Sequence, residues 1–268
     1  MKTTLPLLLF ATVMQCSCNV APMFVESRES TETLDPGKGI HVESMNGYIN
    51  VNQADVENVE IISHIRALSE ERANGTVVLA GKKVDGTLHI RVQWPDGKRE
   101  GREGASFEIK VPAANGLKLE SSNGHLETRG LSGLADLHTS NGHIKIHHHD
   151  GPVKVHTSNG KVVVADVKDS VDVKTSNGGV EVRMSGAGPL KAKTSNGSVD
   201  VKLGDGFAGK MSVKTSNGKL DIQGVPDQAV APGEKEADLA FGGEGESSVE
   251  SSNGNITLKV VGAADAEE

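Results

Sequence analysis

The chain repeats a unit of about 18 residues, and each unit carries one Asn-Gly pair. The asparagines of these pairs are Asn123, Asn141, Asn159, Asn177, Asn196, Asn217 and Asn253, and the glycines that follow them are Gly124, Gly142, Gly160, Gly178, Gly197, Gly218 and Gly254. An earlier unit of the same form is centred on Asn46. Self-similarity at a fixed period indicates one supersecondary unit that stacks on its neighbours to bury a shared core.

Apolar and polar residues alternate on both sides of each Asn-Gly pair. Around Asn159, for instance, Val155, Val162 and Val164 occupy the apolar positions. Alternation with a period of two is typical of half-buried strands. Each unit therefore predicts two short strands joined by a Thr-Ser-Asn-Gly corner. Because Asn and Gly tolerate positive φ, we expect the corner to use that backbone conformation.

Two all-β architectures satisfy this pattern. In a β-solenoid, or β-helix, each 18-residue unit is one coil, and equivalent residues of successive coils lie above one another. In an antiparallel β-meander, each Asn-Gly pair forms a type I′ hairpin turn. We favour the solenoid, because stacking equivalent residues on one another requires a repeat of constant length. A meander does not require its units to keep a length of 18 residues. The longer spacing from Asn217 to Asn253 then corresponds to two units, and the insertion at 204–209 is expected to bulge from one corner without disturbing the stack.

The repeat divides the chain into segments. Residues 38–112 keep the strand alternation without the strict period and predict irregular N-terminal β coils, with polar loops that include Glu70 to Asn74. Residues 113–260 predict regular solenoid repeats, with an inserted loop near 225–245. Residues 19–37 are polar and acidic and predict a flexible tether, and 261–268 form an acidic tail. We expect no helix in the mature chain.

The first residues predict export. A short positive start precedes the apolar run from Leu5 to Met14, which is too short to span a bilayer and is typical of a secretory signal. Cys16 and Cys18 follow at once, and no other cysteine occurs. Residues 1–18 thus resemble a bacterial lipoprotein signal with Cys18 as the lipidated residue. This resemblance implies an envelope protein attached to the membrane by a lipid anchor only.

The charge pattern argues against a nucleic-acid surface. The chain has 28 Lys and Arg against 36 Asp and Glu, spread along the sequence without a basic patch. The tandem Asn-Gly motif, preceded by the stretch from Phe107 to Pro112, resembles the bacterial adhesin-like domains of unknown function over roughly residues 40–260. The resemblance implies a β-helical fold on an envelope-associated protein and supplies no catalytic residue.

Seven of the ten histidines lie between His125 and His156. Stacking would place His125 over His143 and His138 over His156, and the run His147, His148 and His149 lies between these pairs. Imidazoles about 5 Å apart on one face predict either a soft divalent metal site or an exposed polar ladder, and we favour the ladder. Stacked histidines would also repel one another when protonated, which predicts a response near pH 6.

The corner residues give no catalytic signature, since a corner that is repeated seven times points to structure. Glu127, Glu181, Asp200 and Asp221 share an outward column, so a carboxylate pair for polysaccharide cleavage is an alternative. Our preferred hypothesis is a non-enzymatic, adhesin-like surface that needs no cofactor and binds a glycan or another envelope protein. The alternatives are a polysaccharide-active β-helix enzyme and a periplasmic metal- or pH-responsive protein.

Overall fold

A computed structural model gives the fold, and it describes residues 23–225, 231 and 233–261. The predicted signal sequence, Cys18, the start of the tether and residues 262–268 lie outside the described residues. Two sheets of 11 strands each face one another across the core. Within the described residues, no helix is long and apolar enough to cross a membrane.

The strands alternate between the two sheets along most of the chain. Sheet 1 contains β1 (Phe24–Glu32), β3 (Ile49–Gln53), β4 (Val59–Ala67), β7 (Gly104–Val111), β9 (Leu126–Arg129), β11 (Ile144–His149), β13 (Val162–Val167), β15 (Val180–Met184), β17 (Val199–Gly204), β19 (Leu220–Gln223) and β22 (Ile256–Val261). Sheet 2 contains β2 (Ile40–Glu43), β5 (Val77–Lys82), β6 (Leu88–Gln93), β8 (Asn115–Asn123), β10 (Ser132–Asn141), β12 (Val153–Asn159), β14 (Val171–Asn177), β16 (Leu190–Asn196), β18 (Lys210–Thr215), β20 (Glu236–Ala240) and β21 (Glu246–Asn253).

Parallel pairing between equivalent residues of successive coils confirms the solenoid and excludes the meander. Val155 pairs with Val173 in sheet 2, and Val164 pairs with Val182 in sheet 1. An antiparallel meander would instead pair residues on the two sides of each Asn-Gly turn. Each coil therefore places one strand in each sheet, as the alternation predicts.

The inward columns form a single apolar core. Val155, Val162 and Val164, which represent the predicted apolar positions, are all buried, and so are their equivalents in the neighbouring coils. β-branched side chains suit these positions, because they pack well on a pleated surface. The core therefore runs continuously from coil to coil between the two sheets.

The glycine of each corner is required by close backbone approach and not by positive φ, so our prediction for the corner backbone was wrong. None of the corner glycines has positive φ. A Cβ atom added to Gly178 would lie 2.0 Å from the carbonyl oxygen of Gly160 in the preceding coil. The same contact recurs between Gly160 and Gly142. Only a residue without Cβ allows adjacent corners to stack at the spacing of the strands.

The asparagines form an unbroken ladder of side-chain hydrogen bonds. Asn159 Nδ2 donates to Asn141 Oδ1 at 2.8 Å, and Asn177 Nδ2 donates to Asn159 Oδ1 at 2.9 Å. The threonines point inward, where Thr157 Oγ1 donates to the carbonyl oxygen of Gly142 at 3.2 Å. Each Thr-Ser-Asn-Gly corner thus binds its neighbour through a buried hydroxyl, an exposed amide and a close backbone contact.

The C-terminal coils do not stack in chain order, which corrects our expectation for the last units. β21 lies between β16 and β18, and β22 lies between β17 and β19. The asparagine ladder follows this spatial order, since Asn253 donates to Asn196 and Asn217 donates to Asn253. The insertion at 204–209 therefore carries the chain past one coil position, which the final coil then fills. The expected loop near 225–245 contains β20, which pairs antiparallel with β18.

The N-terminal end combines stacked coils with antiparallel strands. The coil formed by β2 and β3 lies between the coil of β6 and β7 and that of β8 and β9. β4 and β1 extend sheet 1 by antiparallel pairing, and β5 extends sheet 2 in the same way. The predicted tether is therefore wrong over Phe24–Glu32, because that segment is a full-length partner of β4.

A short helix, α1 (Glu70–Gly75), lies in the segment that we expected to be a polar loop, and a 3-10 turn follows at Pro95–Gly97. Ser69 caps the helix by accepting a hydrogen bond from the backbone N–H of Arg72 at 3.2 Å. The Arg72 side chain forms a paired contact with Glu103, at 2.7 Å from Nε to Oε1 and 2.8 Å from Nη2 to Oε2. Glu103 is fully buried, so this ion pair joins the helix to the start of β7.

Candidate functional site

The outer face of sheet 2 carries a continuous set of polar and titratable side chains. Two adjacent outward columns cross strands β8, β10, β12 and β14 and flank a shallow groove, which we call the sheet 2 groove. Its lining residues are Lys118, Glu120, Asp136, His138, Lys154, Val155, His156, Asp172 and Lys174. Four strands at about 4.8 Å spacing give the groove a length of about 14 Å across the coils.

Charge alternates along one of these columns. Lys118 pairs with Asp136, Asp136 with Lys154, and Lys154 with Asp172 in the strand registers. Opposite charges on directly adjacent strands favour this register. Short ion pairs also cross between the two columns, from Lys118 to Glu120 at 3.0 Å and from Lys174 to Asp172 at 3.6 Å. The groove therefore offers closely spaced donors and acceptors with little net charge.

The predicted histidine pairs are stacked as the register requires. His125 lies parallel to His143 with ring centroids 5.1 Å apart, and His138 lies parallel to His156 at the same separation. The first pair lies immediately before strands β9 and β11 of sheet 1, and Tyr48 continues the stack at 5.0 Å from His125. Among the described residues, neither pair has a third His, Cys, Asp or Glu close enough to complete a metal site.

One ring of each stacked pair, His125 in the first and His156 in the second, resists protonation. Burial and the neighbouring His143 lower the pKa of His125, and burial together with His138 and Lys174 lowers the pKa of His156. The folded state therefore favours the neutral forms of His125 and His156, so the contribution of these two rings to stability is full above pH 6.5 and declines as pH falls below it. The response near pH 6 stays a prediction, and its expected direction is a loss of stability as pH falls.

The three consecutive histidines do not form a cluster. His147 points outward from sheet 1 beside Arg129 and Ala165, whereas His148 has a positive φ of 53° and lies 3.4 Å from Asp166. His149 is buried, and its Nε2 lies 2.7 Å from the carbonyl oxygen of Gly133. Burial lowers the pKa of His149. Because the three side chains point in different directions, their rings have different neighbours.

Sequence reasoning missed the one compact His and carboxylate cluster among the described residues. His41 and Glu43 on β2 and His89 on β6 have ligand atoms within 4.8 Å of one another, and Glu120 on β8 lies 2.7 Å from His41 beside the sheet 2 groove. The rings of His41 and His89 stack at 4.5 Å. A signal was present in the sequence, because β2 and β6 both contain an apolar-His-apolar triplet (Ile40 to Val42 and Leu88 to Ile90).

Hydrogen bonds keep the Glu120 side chain of this cluster ionised. Burial lowers the pKa of His41, although its hydrogen bond to Glu120 opposes that shift. Burial alone would raise the pKa of Glu120, but hydrogen bonds from His41 and Lys118 hold it below its ordinary value. Glu120 is therefore a carboxylate at neutral pH.

The carboxylate column considered for catalysis lies on the opposite face. Glu127, Glu181, Asp200 and Asp221 project from sheet 1, with Lys145 and Val163 between the first two in the register. Lys161 donates a hydrogen bond to Glu181 at 2.7 Å, and this bond lowers the pKa of Glu181. A general acid in a glycosidase needs a raised pKa, so Glu181 is unsuited to that role.

Comparisons with known proteins give likenesses of structure only. No family model matches the chain, and no curated protein matches it. A putative cell adhesion protein from Clostridium sporogenes is 14% identical, with a TM-score of 0.36, over 88% of this chain and 100% of its own. A putative adhesin from Bacteroides fragilis is 12% identical, with a TM-score of 0.45, over 88% and 97% of the two chains. A putative adhesin from Parabacteroides distasonis is 11% identical, with a TM-score of 0.31, over the same shares.

Proposed function

We propose that this protein is a non-enzymatic, adhesin-like scaffold of the cell envelope that binds a glycan chain in the sheet 2 groove. The observation that carries the proposal is the shape and lining of that groove. It is open, runs across four successive coils and presents alternating amine, carboxylate and imidazole groups. An extended polymer fits such a groove better than a small molecule, which normally binds in an enclosed and mostly apolar pocket.

The lining favours a polyhydroxylated partner over a protein. Protein interfaces are usually apolar at their centre. Among the described residues, the exposed large apolar side chains are those of Phe24, Val25, Met45, Val77, Val84 and Leu134, and none of them lines the groove. Alternating donors and acceptors instead match the hydroxyl groups of a sugar chain. An envelope protein is the alternative partner.

The charge states favour binding over cleavage. Glu120 is the carboxylate of the groove with the most hydrogen-bond donors, and these keep its pKa low. A polysaccharide hydrolase would need one carboxyl group with a raised pKa to protonate the leaving oxygen. The predicted export signal supports an envelope location, where glycan polymers are abundant.

The experiment is a glycan array followed by calorimetry with the purified protein. Lys154→Glu should weaken the binding of a retained glycan by about tenfold or more, because it reverses a charge in the middle of the groove. Lys145→Glu makes the same change on the outer face of sheet 1 and should leave binding within about twofold. Equal losses in both variants, or release of shortened products from the glycan, would overturn the proposal.

A further inference from the structure

Four side chains from three adjacent strands converge at the N-terminal side of the sheet 2 groove. His41 Nε2 lies 2.7 Å from Glu120 Oε2 and 3.2 Å from Glu43 Oε1. His89 Nε2 lies 2.9 Å from the same Glu43 oxygen. One carboxylate oxygen therefore lies between two imidazole nitrogens, and the second carboxylate contacts one of those nitrogens.

These separations are close to those between the ligands of a tetrahedral zinc ion. Zinc binds histidine nitrogen and carboxylate oxygen at about 2.0–2.1 Å, which places neighbouring ligand atoms about 3.3 Å apart. The ligand atoms of His41, Glu43 and His89 all lie within 4.8 Å of one another, so these three need only small movements toward a common point. Glu120, which contacts His41, lies outside this group and must move closer to complete the site. Two carboxylates also balance the charge of a divalent ion.

The donor set selects the class of metal. Two imidazole nitrogens with carboxylate oxygens suit zinc and its first-row neighbours, whereas calcium and magnesium prefer oxygen ligands alone. The stacked pairs His125–His143 and His138–His156 offer nitrogens without this carboxylate support. The cluster also adjoins a groove lined by Glu43, Arg91, Trp94, Glu120 and His138, so an ion has an entry path from solvent.

Lys83 determines which ring nitrogen of His41 carries the hydrogen when no metal is bound. Its Nζ lies 2.9 Å from His41 Nδ1. Because an ammonium group only donates hydrogen bonds, Nδ1 accepts this bond and the ring hydrogen lies on Nε2. A metal on Nε2 moves that hydrogen to Nδ1, which then repels the ammonium. Binding must therefore displace Lys83, whose side chain is exposed and free to turn into solvent.

From this arrangement we propose that His41, Glu43, His89 and Glu120 form a binding site for a divalent transition metal of the zinc class. The site joins β6, β2 and β8, which are consecutive in space but not in sequence. A bound ion would therefore hold the rearranged N-terminal coils together and raise their resistance to unfolding. Glu120 also lines the sheet 2 groove, but metal binding is measured without a glycan, so its failure would leave the proposed function untouched.

Calorimetric titration of the chelator-treated full chain with ZnCl₂ tests the site. We expect one ion per chain, a higher Tm with zinc and, on substitution with Co²⁺, the visible absorption of a tetrahedral complex. His89→Ala should weaken the Kd by about 100-fold or more, since it removes a direct ligand. His156→Ala removes a stacked histidine outside the cluster and should leave the Kd unchanged.

Lys83→Gln provides a test that loss of folding cannot mimic. Glutamine offers an acceptor to the hydrogen on Nδ1, as the outer partners of metal-bound histidines usually do, so zinc should bind several-fold more tightly. Absence of binding in the wild type, unchanged affinity in His89→Ala, lost affinity in His156→Ala or weaker binding in Lys83→Gln would each overturn the proposal.

Discussion

Gly178→Ala should destabilise the protein by about 4 kcal/mol or more, or prevent folding, although it adds only one methyl group. The new Cβ would lie 2.0 Å from the carbonyl oxygen of Gly160 in the preceding coil. That oxygen is a backbone atom, and strand pairing fixes its position. The corners cannot separate to relieve this contact without breaking hydrogen bonds in both sheets. Urea denaturation of the variant and the wild type measures the difference.

The adjacent residue gives a matched control. A Cβ atom at Gly179 would meet its nearest neighbour, the carbonyl oxygen of Ser198, at 3.4 Å, which is an ordinary contact. The equivalent positions in other coils hold His143, Lys161 and Ser198, so a side chain is accepted there. Gly179→Ala should leave stability unchanged or raise it by about 0.4–1 kcal/mol. Similar losses in both variants would contradict the close-approach explanation of the repeated glycine.

Glu103→Gln should lower the free energy of unfolding at neutral pH by about 2–3 kcal/mol, because hydrogen bonds to a charged group contribute about 1.5–3 kcal/mol. The substitution removes the charge that pairs with Arg72 and leaves that guanidinium without its main partner. Glu103 also accepts hydrogen bonds from the backbone N–H groups of Glu100 and Leu68. Glu100→Gln is the control, since Glu100 is exposed and contacts Arg72 at 3.3 Å, and it should cost less than about 1 kcal/mol.

The same ion pair gives a pH dependence with a definite sign. The hydrogen bond from Arg72 lowers the pKa of Glu103 from 4.5 to about 2. A depressed pKa means that the stabilisation is complete above about pH 4.5 and is lost as pH falls toward 2. Thermal unfolding between pH 6 and 2.5 should therefore show a steeper loss of stability in the wild type than in Glu103→Gln. Parallel curves would show that Glu103 is not the group that titrates.

Local sequence was sufficient to predict the coil but not the order of the coils. Alternation around Asn159 determines which side chains point inward, and the 18-residue interval determines which residues stack. The coil around Asn253 carries the same columns as that around Asn217, so either fits beside Asn196. The spatial order of the coils depends on whether the segment between two coils is long enough to skip one coil position in the stack. It also depends on antiparallel strands such as β20, which cover the end of the stack.

The candidate metal site was missed for a related reason. His41 and His89 are brought together because β6 stacks on β2, although the residues between them form β3, β4, α1 and β5. The strict repeat is absent there, so it does not align His41 with His89, whereas it does align other histidines, such as His125 with His143. Those rings stack as predicted but lack carboxylates at the right distance. Matching the apolar-His-apolar triplets of the two strands would have suggested the pairing.

Zero-length crosslinking of the wild-type protein with a carbodiimide is the most direct test of the stacked, rearranged solenoid. This reagent joins an amine to a carboxylate only where the two groups are in contact. Glu250 lies between two lysines in sheet 2, since it pairs with Lys193 on β16 and with Lys214 on β18. The Lys193 Nζ to Glu250 Oε2 distance is 2.7 Å.

Mass spectrometry of the digested product should therefore identify a Lys193–Glu250 link, together with a Lys161–Glu181 link between coils that follow one another in the chain. Coils stacked strictly in chain order would place Lys193 beside Lys214 and keep Glu250 away from it. Recovery of the Lys161–Glu181 link with Glu250 joined to Lys214 and never to Lys193 would contradict the rearranged stack. Absence of both predicted links would contradict the solenoid itself.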